Sequence, residues 1–103
     1  MPRLTTLLDR SSAEFADNHA AMQAQVDELK AKLTEIHGGG GEAACRKHTE
    51  RGKLLARERI DALLDPGTPF LELSTLAAAG QYDDQAPAAG LITGVGRIHG
   101  MEV

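Results

Sequence analysis

The sequence predicts an α/β chain in which helices come first and the opening strands of a sheet come last. Three observations carry that expectation. Apolar residues from Phe15 to Ile36 recur at helical spacing, Phe70–Ser74 alternates apolar and polar, and Gly90–Val103 reads as a β-branched run, a tight turn and the start of a return run. Of the 103 residues 42% are apolar, yet these are largely alanine and leucine, and Phe15, Phe70 and Tyr82 are the only aromatics. A chain of this size buries at best about two thirds of its unfolded surface, so a dense self-sufficient core is hard to build from this composition.

The first element is a helix over Ser11–Ile36. Phe15, His19, Met22, Val26, Leu29, Leu33 and Ile36 follow one another at alternating steps of four and three, a heptad stripe. Ser11 with Glu14 fits a capping box, Lys30 and Lys32 lie near the end that favours cations, and Gly38 supplies the stop. A narrow stripe on so polar a rod implies packing on another helix or a parent domain. His19 falls on the stripe and reads as a packing residue.

Gly38-Gly39-Gly40-Gly41 breaks the helical pattern, because four glycines in succession lose too much backbone entropy to remain helical. The run is a hinge or linker; it lacks the spacing of a phosphate loop. A second helix is expected from Glu42 to Arg51, closed by Gly52, and a third from Ala56 to Leu64, ended by Asp65-Pro66-Gly67. In the third, Ala56, Ile60, Leu63 and Leu64 form the inward stripe, with Arg57, Glu58 and Asp61 pointing away. Phe70–Ser74 is then a strand, Ala77–Ala89 a loop, and Gly90–Ile98 a strand returning through His99-Gly100 into Met101-Glu102-Val103. Only three residues of the return strand are present, and a two-stranded ribbon is marginal in water even when complete. The expectation is therefore a fragment whose continuation supplies the missing core.

Several function classes are excluded or weakened. No run approaches the roughly 18 apolar residues of a membrane span, and Asp9 and Glu14 sit where a signal or transit peptide lacks acids, so a cytoplasmic chain is expected. The single cysteine, Cys45, cannot build a disulfide framework. Cys45 and His48 make half of a zinc site, no second pair completes it, and no metal site is expected. Asp83-Asp84 reads as a solvated loop pair, and Gly94-x-Gly96 lacks the third glycine of a dinucleotide fingerprint, so it reads as a bulged or closely approached strand.

Charge is more telling. The chain is net −4, yet residues 46–59 hold six of the eleven basic side chains against only Glu50 and Glu58. One reading of this run is a solvated helix face supported by i,i+4 pairs such as Glu42–Arg46; the other is an anion-binding surface. Nucleic acid fits poorly, because phosphate-backbone binding needs a wide unopposed basic face, with aromatics for single strands. A compact anion such as a coenzyme phosphate fits a small basic island better, and Arg51, Lys53 and Arg57, flanking Gly52, are the candidate donors.

Taken together, Gly39-Gly40-Gly41-Glu42, His48-Thr-Glu-Arg-Gly-Lys-Leu-Leu-Ala-Arg-Glu-Arg-Ile60, Leu63-Leu64-Asp-Pro-Gly-Thr-Pro-Phe-Leu-Glu-Leu73 and Gly90-Leu-Ile-Thr-Gly-Val-Gly-Arg-Ile-His-Gly100 resemble the amino-terminal part of the carboxyltransferase (beta) subunit of biotin-dependent acyl-CoA carboxylases. The resemblance covers residues 38–103; residues 1–37 match by position only. Tyr82-Asp83 ahead of Pro87-Ala-Ala-Gly-Leu-Ile-Thr-Gly-Val-Gly-Arg97 looks more like the methylcrotonyl-CoA and geranyl-CoA types than the propionyl-CoA type.

The resemblance implies a crotonase-like ββα superhelix, of which this chain holds the helical lead-in and first strands. Its segments are then a leading amphipathic helix (1–37), a glycine linker and basic helix (38–52), and the truncated start of the acyl-CoA carboxyltransferase amino-terminal domain (53–103). It also implies that carboxybiotin, carried by a partner biotin carboxylase and carrier subunit, gives its carboxyl group to an acyl-CoA enolate. Backbone N–H groups hold the developing oxyanions. In the family those donors lie beyond Val103, so no catalytic residue is expected here, and Arg51, Lys53 and Arg57 are expected to face the coenzyme. A homo-oligomer of the full-length subunit is expected. The rival reading is a helical interaction module acting through the Phe15–Ile36 stripe.

Overall fold

A computed structural model describes all residues, 1–103. Its first helix, α1 (Ala13–His37), starts where a hydroxyl meets an orphan amide: Ser12 Oγ accepts the backbone N–H of Phe15 at 3.1 Å. The sequence pointed to Ser11 for this cap. Ser11 is instead drawn back to Asp9, whose Oδ1 accepts both its hydroxyl (2.6 Å) and its N–H (2.9 Å). Those two bonds, the side-chain one foremost, hold the Asp9 carboxyl below its ordinary pKa. At the other end Gly38 and Gly39 donate to the carbonyls of Glu35 and Ile36, each at 3.0 Å, and Gly39 takes the left-handed φ of +63° that releases the chain from the helix. Along the heptad stripe Phe15, Val26, Leu33 and Ile36 are half-buried, whereas His19, Met22 and Leu29 are exposed.

Two compact units divide the chain, Met1–Lys32 and Leu33–Val103. Within the second, α2 (Glu42–Thr49) is shorter than the expected helix to Arg51; the Gly52 N–H bonds the Thr49 carbonyl at 2.9 Å and closes it. Helix α3 (Ala56–Leu63) is opened by Glu58, whose carboxylate reaches back to the Leu55 N–H at 2.7 Å. Here the expected orientation is partly reversed. Leu63, placed inward by spacing, is 60% exposed, and Arg57, placed outward, is half-buried. Ile60 and Leu64 are half-buried as expected.

The strands are short. β1 (Leu71–Leu73) pairs antiparallel with β2 (Thr93–Val95), placing Leu71 opposite Val95, Glu72 opposite Gly94 and Leu73 opposite Thr93. β3 (Arg97–Ile98) pairs antiparallel with β4 (Met101–Glu102), and the ladder continues one step further through reciprocal bonds between Gly96 and Val103 at 3.0 and 2.9 Å. The expected single run Gly90–Ile98 is thus divided at Gly96 between two partners. His99 and Gly100 both have positive φ, +50° and +77°, the signature of a tight type I′ hairpin.

Close approach explains both glycines of Gly94-x-Gly96. A β-carbon at Gly94 would collide with the Phe70 ring, and one at Gly96 with Leu64 Cδ2. Between the strands, residues 74–90 run as turns with two short 3-10 segments at Tyr82–Asp84 and Pro87–Gly90, tied at the base by Ala89 N–H to the Ala77 carbonyl at 3.0 Å. Across the whole chain only Ala88 and Gly96 are buried, which matches the poverty of the composition in large core residues.

Candidate functional site

The basic island lies on the α2–α3 connection, and two bonds shape that connection. The His48 ring, near the end of α2, donates from Nε2 to the Leu54 carbonyl at 3.0 Å, and Glu58 holds the Leu55 N–H. Arg51 and Lys53, inside the loop that the His48–Leu54 bond closes, are exposed and have no side-chain partner. They keep their charges available to a dissolved anion.

Arg57, the third expected donor, is placed differently. Its guanidinium grips Glu72 of β1 with both nitrogens, Nη1 to Oε2 at 2.6 Å and Nη2 to Oε1 at 2.9 Å. The side chains are 28% and 12% exposed, so the fork is shielded well enough to count. His37, the last residue of α1, adds its Nε2 at 3.6 Å from Glu72 Oε2. The Arg57 hydrogen bonds hold the Glu72 carboxyl below its ordinary pKa, against the opposing effect of partial burial and with smaller help from the charges of Arg57 and His37. Arg51 and Lys53 are therefore left together in the connection, while Arg57 is committed to the sheet.

Beside this connection lies an apolar cleft of about 680 Å³, lined among others by Ile36, Cys45, His48, Arg57, Pro87 and Ile92. Cys45 and His48, the half of a zinc site, are engaged separately: Cys45 Sγ lies 3.6 Å from the Gly38 carbonyl, and His48 serves Leu54. No three His, Cys, Asp or Glu side chains come close enough to hold a metal ion. Asp84 Oδ1 accepts the Gly80 N–H at 2.7 Å, a local loop bond.

Two participants escaped the sequence reading. Glu72 was available as the one charged residue of the strand run, and His37 as the residue ending a helix; nothing local indicates that Glu72 meets both Arg57 and His37. The known proteins decide what this arrangement belongs to. The carboxyl transferase domain family matches residues 47–103.

The chain belongs to that family.

Other members share nearly its entire length. It is 50% identical over 99 residues to the biotin-dependent 3-methylcrotonyl-coenzyme A carboxylase beta1 subunit of Mycobacterium tuberculosis, an alignment covering 96% of this chain and 18% of that protein. It is 48% identical over 93 residues to the mitochondrial methylcrotonoyl-CoA carboxylase beta chain of Arabidopsis thaliana, covering 90% of this chain and 16% of the relative. The crystal structure of the geranyl-CoA carboxylase beta subunit from P. aeruginosa superposes with a TM-score of 0.81 at 38% identity, over 98% of this chain and 19% of that one. This carboxyl transferase chain thus has the crotonase-like fold expected from its motifs, and it corresponds to the amino-terminal part of that fold. It spans less than one fifth of the length of each of these relatives. The family match covers residues 47–103, outside the Phe15–Ile36 stripe through which a helical interaction module would act, and so weighs against that rival. No helix is long and apolar enough to cross a membrane.

Proposed function

We propose that this chain is the leading part of the carboxyltransferase subunit of a biotin-dependent acyl-CoA carboxylase, with methylcrotonyl-CoA as the acyl-CoA. The observation that carries the reading is the 50% identity to the 3-methylcrotonyl-coenzyme A carboxylase beta1 subunit across 96% of the chain. The full-length subunit works as a homo-oligomer in the cytoplasm, beside a biotin carboxylase and carrier subunit. Biotin on that partner supplies the activated carboxyl group. The part of this chain in the reaction lies with the coenzyme. Arg51 and Lys53, exposed and without protein partners, are suited to the coenzyme phosphates, where charge-assisted hydrogen bonds are strongest. An apolar cleft, lined among others by His48, Leu55 and Ala56, lies beside the connection that carries them.

The test is a carboxylation assay on the full-length subunit with its biotin-carrying partner. Methylcrotonyl-CoA is expected to be carboxylated in preference to propionyl-CoA. Preference for propionyl-CoA would overturn the choice of acyl group, and absence of any acyl-CoA carboxylation would overturn the reading itself.

A further inference from the structure

The basic island contains two kinds of arginine. Arg51, with Lys53, stands in solvent on a short connection whose ends are fixed by His48 to the Leu54 carbonyl and by Glu58 to the Leu55 N–H. Arg57 begins one residue inside α3, and its fork is filled on both nitrogens by Glu72, fifteen residues along the chain on β1. A phosphate competing for the same two N–H groups of Arg57 would have to displace a carboxylate that is only 12% exposed and bound at 2.6 and 2.9 Å. Removing either member of so shielded a pair leaves the other charge without its partner, at a cost well above that of an exposed ion pair.

We infer that Arg57 is a positioning residue: through its fork to Glu72 it fixes the start of α3 on β1, and so fixes the connection that presents Arg51 and Lys53 to the coenzyme. The inference rests on the acyl-CoA reading above and divides its basic residues by role. Arg57 contributes to coenzyme affinity only through the geometry of the other two. Glu72, which carries the wrong sign to bind a phosphate, contributes equally.

The experiment uses the full-length subunit and reads both the Michaelis constant for acyl-CoA and the melting temperature. Lys53→Ala is expected to raise KM about tenfold with the melting temperature unchanged, as the loss of one charge-assisted bond to a ligand. Glu72→Gln, which leaves every basic residue in place, is expected to lower the melting temperature and raise KM, as does Arg57→Ala. The exchange Arg57→Glu with Glu72→Arg is expected to recover both quantities relative to either single change. The inference is overturned if the exchange restores the melting temperature while KM stays as high as in Arg57→Ala, or if Glu72→Gln leaves both quantities at wild-type values. Where Arg57→Ala does not fold, Arg57→Lys serves: a lowered melting temperature together with a raised KM supports the inference, and a change in either quantity without the other overturns it. A wild-type subunit with no affinity for acyl-CoA refutes the functional reading instead, and the melting temperatures still judge the pair.

Discussion

Asp65 Oδ1 accepts the backbone N–H of His99 at 2.7 Å, thirty-four residues along the chain, and Oδ2 accepts the next amide, Gly100, also at 2.7 Å. The Asp65 N–H in turn donates to the Arg97 carbonyl at 2.9 Å. A side chain that looks from sequence like the opening of a Pro-Gly turn therefore also clamps the β3–β4 hairpin. The clamp offsets the strain of a non-glycine residue, His99, held at positive φ.

Replacing Asp65 by asparagine is expected to cost about 1–3 kcal/mol, because only one oxygen remains for two amides and the charge assistance is lost. Thermal melting measures the loss, and amide exchange should accelerate at His99 and Gly100 ahead of β1 and β2. An unchanged melting temperature would count against the clamp.

Gly94→Ala is expected to destabilise by about 1–3 kcal/mol through overpacking against the Phe70 ring. Adding Phe70→Leu should return the part of the loss due to the ring, while the part due to the Leu71 carbonyl oxygen, which a methyl at Gly94 would also meet, remains. Melting temperatures of the single and double variants decide the matter; strictly additive losses would show that the ring is not the obstacle.

Acid should weaken the α3–β1 contact through Glu72. Its folded pKa lies below the ordinary glutamate value of 4.5, chiefly because of the Arg57 hydrogen bonds. Its contribution is therefore fully present above that ordinary value and is lost as pH falls below it, through the lower folded value. Melting temperature plotted against pH is expected to fall less steeply on the acid side in Glu72→Gln than in the wild type. Identical acid limbs would contradict the assignment.

Ser12→Ala is expected to cost helix α1 about 1 kcal/mol, and Ser11→Ala much less, because the orphan Phe15 amide is served by Ser12. Far-ultraviolet circular dichroism of the two variants gives the comparison. The reverse order would restore Ser11 as the cap.

What the sequence discloses follows from how far each interaction reaches. The α1 period, the glycine stop at its end, the Pro-Gly turn and the His99-Gly100 hairpin are governed by residues within a few positions of one another, and all four were legible. Choosing Ser11 over Ser12 failed because both hydroxyls precede the helix and only the competing Asp9 separates them. Arg57 was read outward because helical spacing reports one helix and not the acidic residue on a strand facing it. The splitting of the final run at Gly96 depends on pairings with Leu71–Leu73 and Met101–Val103, the first of them twenty or more residues distant. The basic island was visible as composition; which members were already spoken for was not.

The change of neighbour at Gly96 makes the stretch from Thr93 to Ile98 a splice between two ribbons, each keeping its own count of residues. Deleting one residue there would throw both ribbons out of step at once, whereas the same deletion among the turns of residues 75–86 would alter only the length of a connector. Tolerance to insertions and deletions should therefore drop abruptly where the connector gives way to the splice.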